Sequence, residues 1–167
     1  MRLESPAFKN DQPIPVQYSG ESRDLSPPLR WDDPQEPAAE FALLMEDPDA
    51  PRDEPWVHWI AYGIPGTARE LPEGVPRETR VELQGGFRQG MNSFPEDNIG
   101  YRGPYPPVGH GVHHYYFRLY ALRRPLQIDG KVDKAHLIQG LQQAGVIDQA
   151  ELMGTYERTA KAPRQGG

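Results

Sequence analysis

Three of the five histidines in this chain fall within five positions, in the stretch GHGVHHYYFRLYAL (109–122). An imidazole can act as a general base, ligate a metal or donate to an anion, and the choice depends on which rings share a face. Strand side chains alternate with period two. His113, Tyr115, Phe117, Leu119 and Ala121 then point one way, and His114, Tyr116, Arg118, Tyr120 and Leu122 the other. The first row is the apolar one, so His113 heads a core-facing row and His114 belongs to the wetter face. Neither His110 with His113 nor His113 with His114 shares a strand face, which argues against a metal site built on two of these rings.

Two further groups emerge from apolar rows. Asp47, followed by Asp49 in DPDAP, closes the row Phe41, Leu43, Met45. His58 sits inside WVHWIAYGI (56–64), where alternation groups Trp56, His58, Ile60, Tyr62 and Ile64 on one face. A buried charge is costly unless it is paired, so the economical arrangement brings carboxylate and imidazole together. The carboxylate would fix the tautomer and favour the protonated ring, leaving the second ring N–H free to bind an anion. Backbone N–H groups of the glycine-rich loop 100–111 and the Tyr115 hydroxyl are candidate further donors. Each residue also has an ordinary alternative: His58 as a satisfied core histidine, Asp47 as a turn-former before proline, Tyr115 and Phe117 as plain core.

Other chemistries lack their residues. Cysteine is absent, which excludes disulfides, thiolate metal sites and cysteine nucleophiles. The five serines (5, 19, 22, 26 and 93) form no G-x-S-x-G elbow. GGFRQGMNSFPEDNIG has glycines but no lysine and no phosphate-loop spacing. No acidic pair stands out as a glycosidase dyad. The net charge of −6 argues against nucleic acid or an anionic membrane surface as partner.

The elements that must position these groups are short. At 167 residues the chain has the length of about one domain. Its 19 prolines and 17 glycines predict short strands joined by ordered loops. Strands are expected over 41–47, 56–64 and 113–123, a weaker one at VELQGGF, and a short one over 150–158. Residues 1–40 are loop-rich, and 85–110 reads as a long irregular loop of the kind that is usually functional. One helix is expected over about 133–144, with Asp133 as N-cap and Gly145 at its left-handed end, where Val146 would meet Leu141. The N-terminal residues carry no apolar secretory core, and no apolar run approaches the roughly 20 residues of a membrane span. These features predict a cytoplasmic protein with one domain over 1–160 and a disordered tail, 161–167.

LSPPLRW (25–31), DPDAP (47–51), WVHW (56–59), GYRGPYPPVGHGVHHYYFRLYAL (100–122) and LMGTYER together resemble the phosphatidylethanolamine-binding protein family, in its bacterial and archaeal Raf-kinase-inhibitor-like branch. The resemblance spans about residues 3–158. It implies a mainly all-β fold, a large antiparallel sheet packed with a smaller one and few helices. It also implies a small anion pocket at one end, formed by Asp47, Asp49, His58, Pro107, Gly109, His113 and Tyr115. His114 stands where the family usually has arginine, and it points away; His110 is read as a loop residue near the rim. Eukaryotic relatives carry a C-terminal helix beside the pocket; the chain ends soon after LMGTYER, which predicts a more open site. The implied ligand is phosphate or a phosphoethanolamine-like headgroup, with no enzymatic activity, no cofactor and no metal. An inhibitory protein partner, a homodimer and a weak hydrolase built on Asp47, His58 and His113 stay open as alternatives.

Overall fold

The central strands are apolar on both faces, and that composition dictates a sheet covered on both sides. The computed structural model describes residues 1–160. It has ten strands: β1 (Leu3–Glu4), β2 (Gln12–Pro13), β3 (Leu29–Trp31), β4 (Glu40–Asp47), β5 (Trp56–Pro65), β6 (Glu70–Leu71), β7 (Arg80–Val81), β8 (Phe87–Gln89), β9 (His113–Leu122) and β10 (Val146–Tyr156). A single α-helix among the described residues, α1 (Lys134–Ala144), precedes β10.

Seven strands form one sheet in the order β2-β10-β9-β4-β5-β8-β7, and three form a second in the order β1-β3-β6. Every pairing between these strands is antiparallel except that of β2 with β10, which is parallel. The expected large-plus-small arrangement is therefore present, with one parallel edge. Phe41, Leu43 and Met45 of β4 pack with Leu3, Leu29 and Trp31 of the small sheet. Ala42 and Leu44, on the opposite face, pack with Leu137, Leu141 and Ala144 of α1. Full burial of a Leu- or Phe-sized side chain contributes about 1.5–3 kcal/mol, so β4, with seven of its eight residues buried, anchors both layers.

The helix starts as its sequence dictates. The Asp133 side chain accepts from the His136 backbone N–H at 2.9 Å, and Gly145 ends it at φ 82°. Val146 is exposed and begins β10, which runs eleven residues rather than the short 150–158 expected. The VELQGGF segment is not one strand: a 3-10 turn at Leu83–Gly85 separates β7 from β8. The expected 161–167 tail lies outside the described residues.

The alternation expected in β5 is overturned. Its register against β4 runs Phe41↔Ile64, Leu43↔Ala61, Met45↔Trp59, Glu46↔Val57 and Asp47↔Trp56. Two extra residues are accommodated, one at His58 and one near Gly63, whose φ is +67°. Each is a β-bulge, and each reverses the phase of the pleat. Ile60 and Tyr62 consequently pack on the helix face with Val57, whereas Trp59, Ala61 and Ile64 pack on the small-sheet face. His58 sides with the latter group, its ring 5.2 Å from that of Tyr115.

Candidate functional site: a carboxylate–histidine cavity

A cavity of about 190 Å³ opens at the end of β4, lined by Asp47, Arg52, Trp56, His58, Phe94, Tyr105, Pro107, His113 and Tyr115 among others. It is smaller than the roughly 300 Å³ at which drug-sized pockets begin. A larger recess of about 470 Å³ lies elsewhere, against Glu40, Arg80, Glu82 and Arg88. Its lining pairs acids with arginines and contains no imidazole.

Three elements deliver the polar centre. Strand β4 ends at Asp47, which is buried because it continues the core-facing row of Met45. The row of β9 that carries Phe117 and Leu119 inward brings His113 and Tyr115 with it, both fully buried. Trp56 pairs with Asp47, so alternation carries His58 to the same face, and the bulge then repeats that face at Trp59. The alternation read from β9 thus holds, and that read from β5 holds at Trp56, His58 and Ile64 but fails at Ile60 and Tyr62.

Asp47 Oδ2 lies 2.6 Å from His113 Nδ1, so the expected carboxylate–imidazole pair forms, with the Nδ1–H donating. Asp47 Oδ1 accepts the backbone N–H of Asp49 at 2.7 Å, which makes Asp47 a turn-former as well. Burial, and then the Asp47 charge, push the Tyr115 phenol well above its ordinary range. His58 Nδ1 lies 2.6 Å from the Arg102 carbonyl oxygen. A carbonyl only accepts, so Nδ1 carries the proton. Burial pushes His58 below the usual histidine range, opposed by that carbonyl and by the charge of Asp47.

His110 is the residue that the strand reading passed over. Its Nδ1 lies 2.6 Å from His113 Nε2, so carboxylate, His113 and His110 form a continuous chain with one proton between the two rings. The signal was in the spacing: Gly109 and Gly111 flank His110 at φ +76° and +87°, a backbone that L-residues rarely adopt. The loop therefore folds back so that an H-x-x-H pair meets without sharing a strand face.

Two expected pocket residues are placed elsewhere. The Asp49 carboxylate does not line the cavity; it accepts from the His114 backbone N–H at 2.8 Å and from its ring at 2.7 Å, on the exposed side. Burial raises Asp49, but these bonds and the His114 charge outweigh it and hold the carboxyl below its usual range. The cause is the pleat itself, since His114 points away from His113. Gly109 turns the loop and donates its N–H to the Arg158 carbonyl instead of lining the cavity.

The remaining wall is aromatic. Phe94 stands edge-on to Trp56 and to His58, each at 5.5 Å between ring centres. The Arg52 guanidinium lies 4.9 Å over the Trp56 ring, with no carboxylate partner among the described residues. Arg158 covers Tyr105 at 3.8 Å. Arg52, Trp56, Phe94 and Tyr105 come from loops and a strand start, where no periodicity marks a residue as facing a site.

Comparison with known proteins accounts for this arrangement. The model of the family described as phosphatidylethanolamine-binding protein matches residues 4–157. The UPF0098 protein of Pyrococcus abyssi is 41% identical over 154 residues, covering 92% of this chain and 84% of that one. Lipoprotein LppC of Mycobacterium tuberculosis is 39% identical over 158 residues, covering 94% and 72%. Among solved structures, a phosphatidylethanolamine-binding protein homolog from Chlamydia trachomatis superposes with a TM-score of 0.81 at 37% identity, over 94% of this chain and 97% of that one. Escherichia coli YbcL, described as a member of the mammalian family, gives 0.82 at 31%, over 93% and 97%. By sequence over nearly its whole length and by fold, this chain belongs to the phosphatidylethanolamine-binding protein family.

Proposed function

We propose that the protein binds a small phosphate-type anion, free or as the headgroup of a phosphoethanolamine-like molecule, without catalysing its turnover. The observation that carries this reading is the buried Asp47–His113 pair, extended by the exposed His110 and opening on a cavity whose lining includes the Arg52 guanidinium, which has no carboxylate partner among the described residues. A carboxylate at an anion site is otherwise unfavourable. Here the carboxylate serves to orient His113, accepting from its Nδ1. The aromatic wall of Trp56 and Phe94 suits the organic remainder of such a ligand. None of the cavity-lining residues is a serine or threonine, and the chain has no cysteine, so the cavity offers no hydroxyl-triad or thiolate nucleophile. A cytoplasmic location is the expectation from the sequence. No helix among the described residues is long and apolar enough to cross a membrane, and one relative carries the name lipoprotein.

The test is thermal unfolding with inorganic phosphate. A ligand present at a hundred times its dissociation constant stabilises the fold by about 2.7 kcal/mol, roughly 5–11 °C for a domain of this size. An unfolding temperature unmoved by phosphate up to high millimolar concentration, against a sodium chloride control, refutes the proposal.

A further inference from the structure

We infer that the cavity selects anions that carry their own acidic proton, a P–O–H group, over equally charged anions that carry none; this rests on the anion-binding reading above. The argument begins with the hydrogen-bond capacity of each group at the centre. His58 Nδ1 has its proton committed to the Arg102 carbonyl at 2.6 Å. A neutral ring with Nδ1–H has a lone pair on Nε2, and burial holds this ring neutral. Nε2 has no protein partner among the described residues. It is also not sealed off from solvent-sized space, and the space beside it is the cavity. His58 thus presents an acceptor.

The imidazole beside it offers no free donor to offset it. His113 has both nitrogens engaged, by Asp47 and by His110, and the Asp47 carboxylate itself only accepts. A bare anion entering this centre would set its oxygens against a lone pair and a carboxylate. Hydrogen phosphate avoids that clash: its P–O–H donates to His58 Nε2, the proton staying on the ligand. Its remaining oxygens face Arg52.

Tautomer choice is set by backbone, which makes it robust. The Arg102 carbonyl is held by a loop that is itself clamped. The Arg102 N–H donates to the His58 carbonyl at 2.9 Å. Asp24 takes the Gly103 N–H at 2.7 Å and the guanidinium groups of Arg77 and Arg102 at 2.8 and 3.3 Å. His58 cannot turn its ring to offer a donor without breaking a bond that this cluster fixes.

The experiment is calorimetric titration at pH 7 with three tetrahedral anions: inorganic phosphate, sulfate and dimethyl phosphate. Only the first carries a proton at that pH. Charge alone would rank sulfate at least equal to phosphate. The inference expects phosphate to bind roughly ten- to a hundredfold more tightly than either, the value of one hydrogen bond to a charged partner. Phosphate and sulfate binding equally well would overturn the selectivity while leaving the anion site intact. Failure of all three to bind would overturn the anion site itself. A second readout is the ¹⁵N spectrum of the His58 ring in the phosphate complex, where Nδ1 must stay protonated and Nε2 must show an accepted hydrogen bond. A His58→Gln variant, which can turn its amide to donate, should lose the preference; if it does not fold, the wild-type ranking and the spectrum decide.

Discussion

Glu46 and Asp47 are neighbours in the chain, both carboxylates, both buried, and they lead opposite lives. Glu46 faces the helix layer, where Arg118 and Lys134 each reach it at 2.6 Å. Both partners are cationic side chains, and Lys134 ties α1 to the sheet. Asp47, one residue on and on the other face of the sheet, meets the His113 imidazole instead. Alternation of the pleat alone separates a structural carboxylate from a site carboxylate. The identity of the partner, fixed cation or titratable ring, distinguishes the roles where burial does not.

That contrast can be broken experimentally. The largest effect is expected from Glu46→Ala, which strands Lys134 and leaves Arg118 with Glu151 alone. Breaking a fully buried pair costs about 3–5 kcal/mol. Arg118 and Lys134 keep about a third of their side-chain exposure, so roughly 2–3 kcal/mol is expected here, read by denaturant unfolding. Phosphate affinity should not follow. A large affinity loss in the folded variant would mean that the two faces are coupled.

Next comes the pair His113→Ala and His114→Ala. The first should lose roughly ten- to a hundredfold in phosphate affinity, one hydrogen bond to a charged partner, and the second should keep it. Equal losses by calorimetry would refute the face assignment. Asp47→Asn should weaken phosphate binding by about tenfold or less although it removes a negative charge, because the orienting carboxylate is lost. Tighter binding by the folded variant at pH 7 would reduce Asp47 to its turn.

The smallest effect concerns pH. Burial lowers the folded pKa of His58 below its unfolded value of about 6.5. Its contribution to stability is therefore fully present above that value and fades as pH falls through the folded one. Unfolding temperature should decline from pH 7.5 towards 5, and His58→Gln should flatten the decline. An unchanged slope would assign the acid sensitivity to other groups.

Much of this molecule could be read from its residues. The rows of β4 and β9 follow from strict alternation, so Asp47, His113 and Tyr115 were placed before any coordinates. The capped helix followed from Asp133 and Gly145. Three things were not legible. A bulge leaves no periodic signature, so Ile60 and Tyr62 read as sharing the His58 face, whereas they pack on the helix side. Asp49 was carried into the pocket by its motif, whereas the pleat gives it to His114. His110 depends on the two positive-φ glycines that flank it, Gly109 and Gly111, whose combined direction is a property of the loop in three dimensions.

The two bulges of β5 behave like insertions that a reading frame absorbs. Each adds one residue opposite β4, so the pairing steps from Glu46↔Val57 to Met45↔Trp59 across His58, and from Leu43↔Ala61 to Phe41↔Ile64 near Gly63. Paired residues share a face, so each insertion is local and the residues on either side keep their faces with or without it. A lineage that lost His58 alone would set Val57 and Trp59 side by side against Glu46 and Met45 and keep every face of the sheet. The site histidine is thus a removable word, which is why a deletion of His58, checked by circular dichroism and phosphate titration, should give a folded protein that no longer binds.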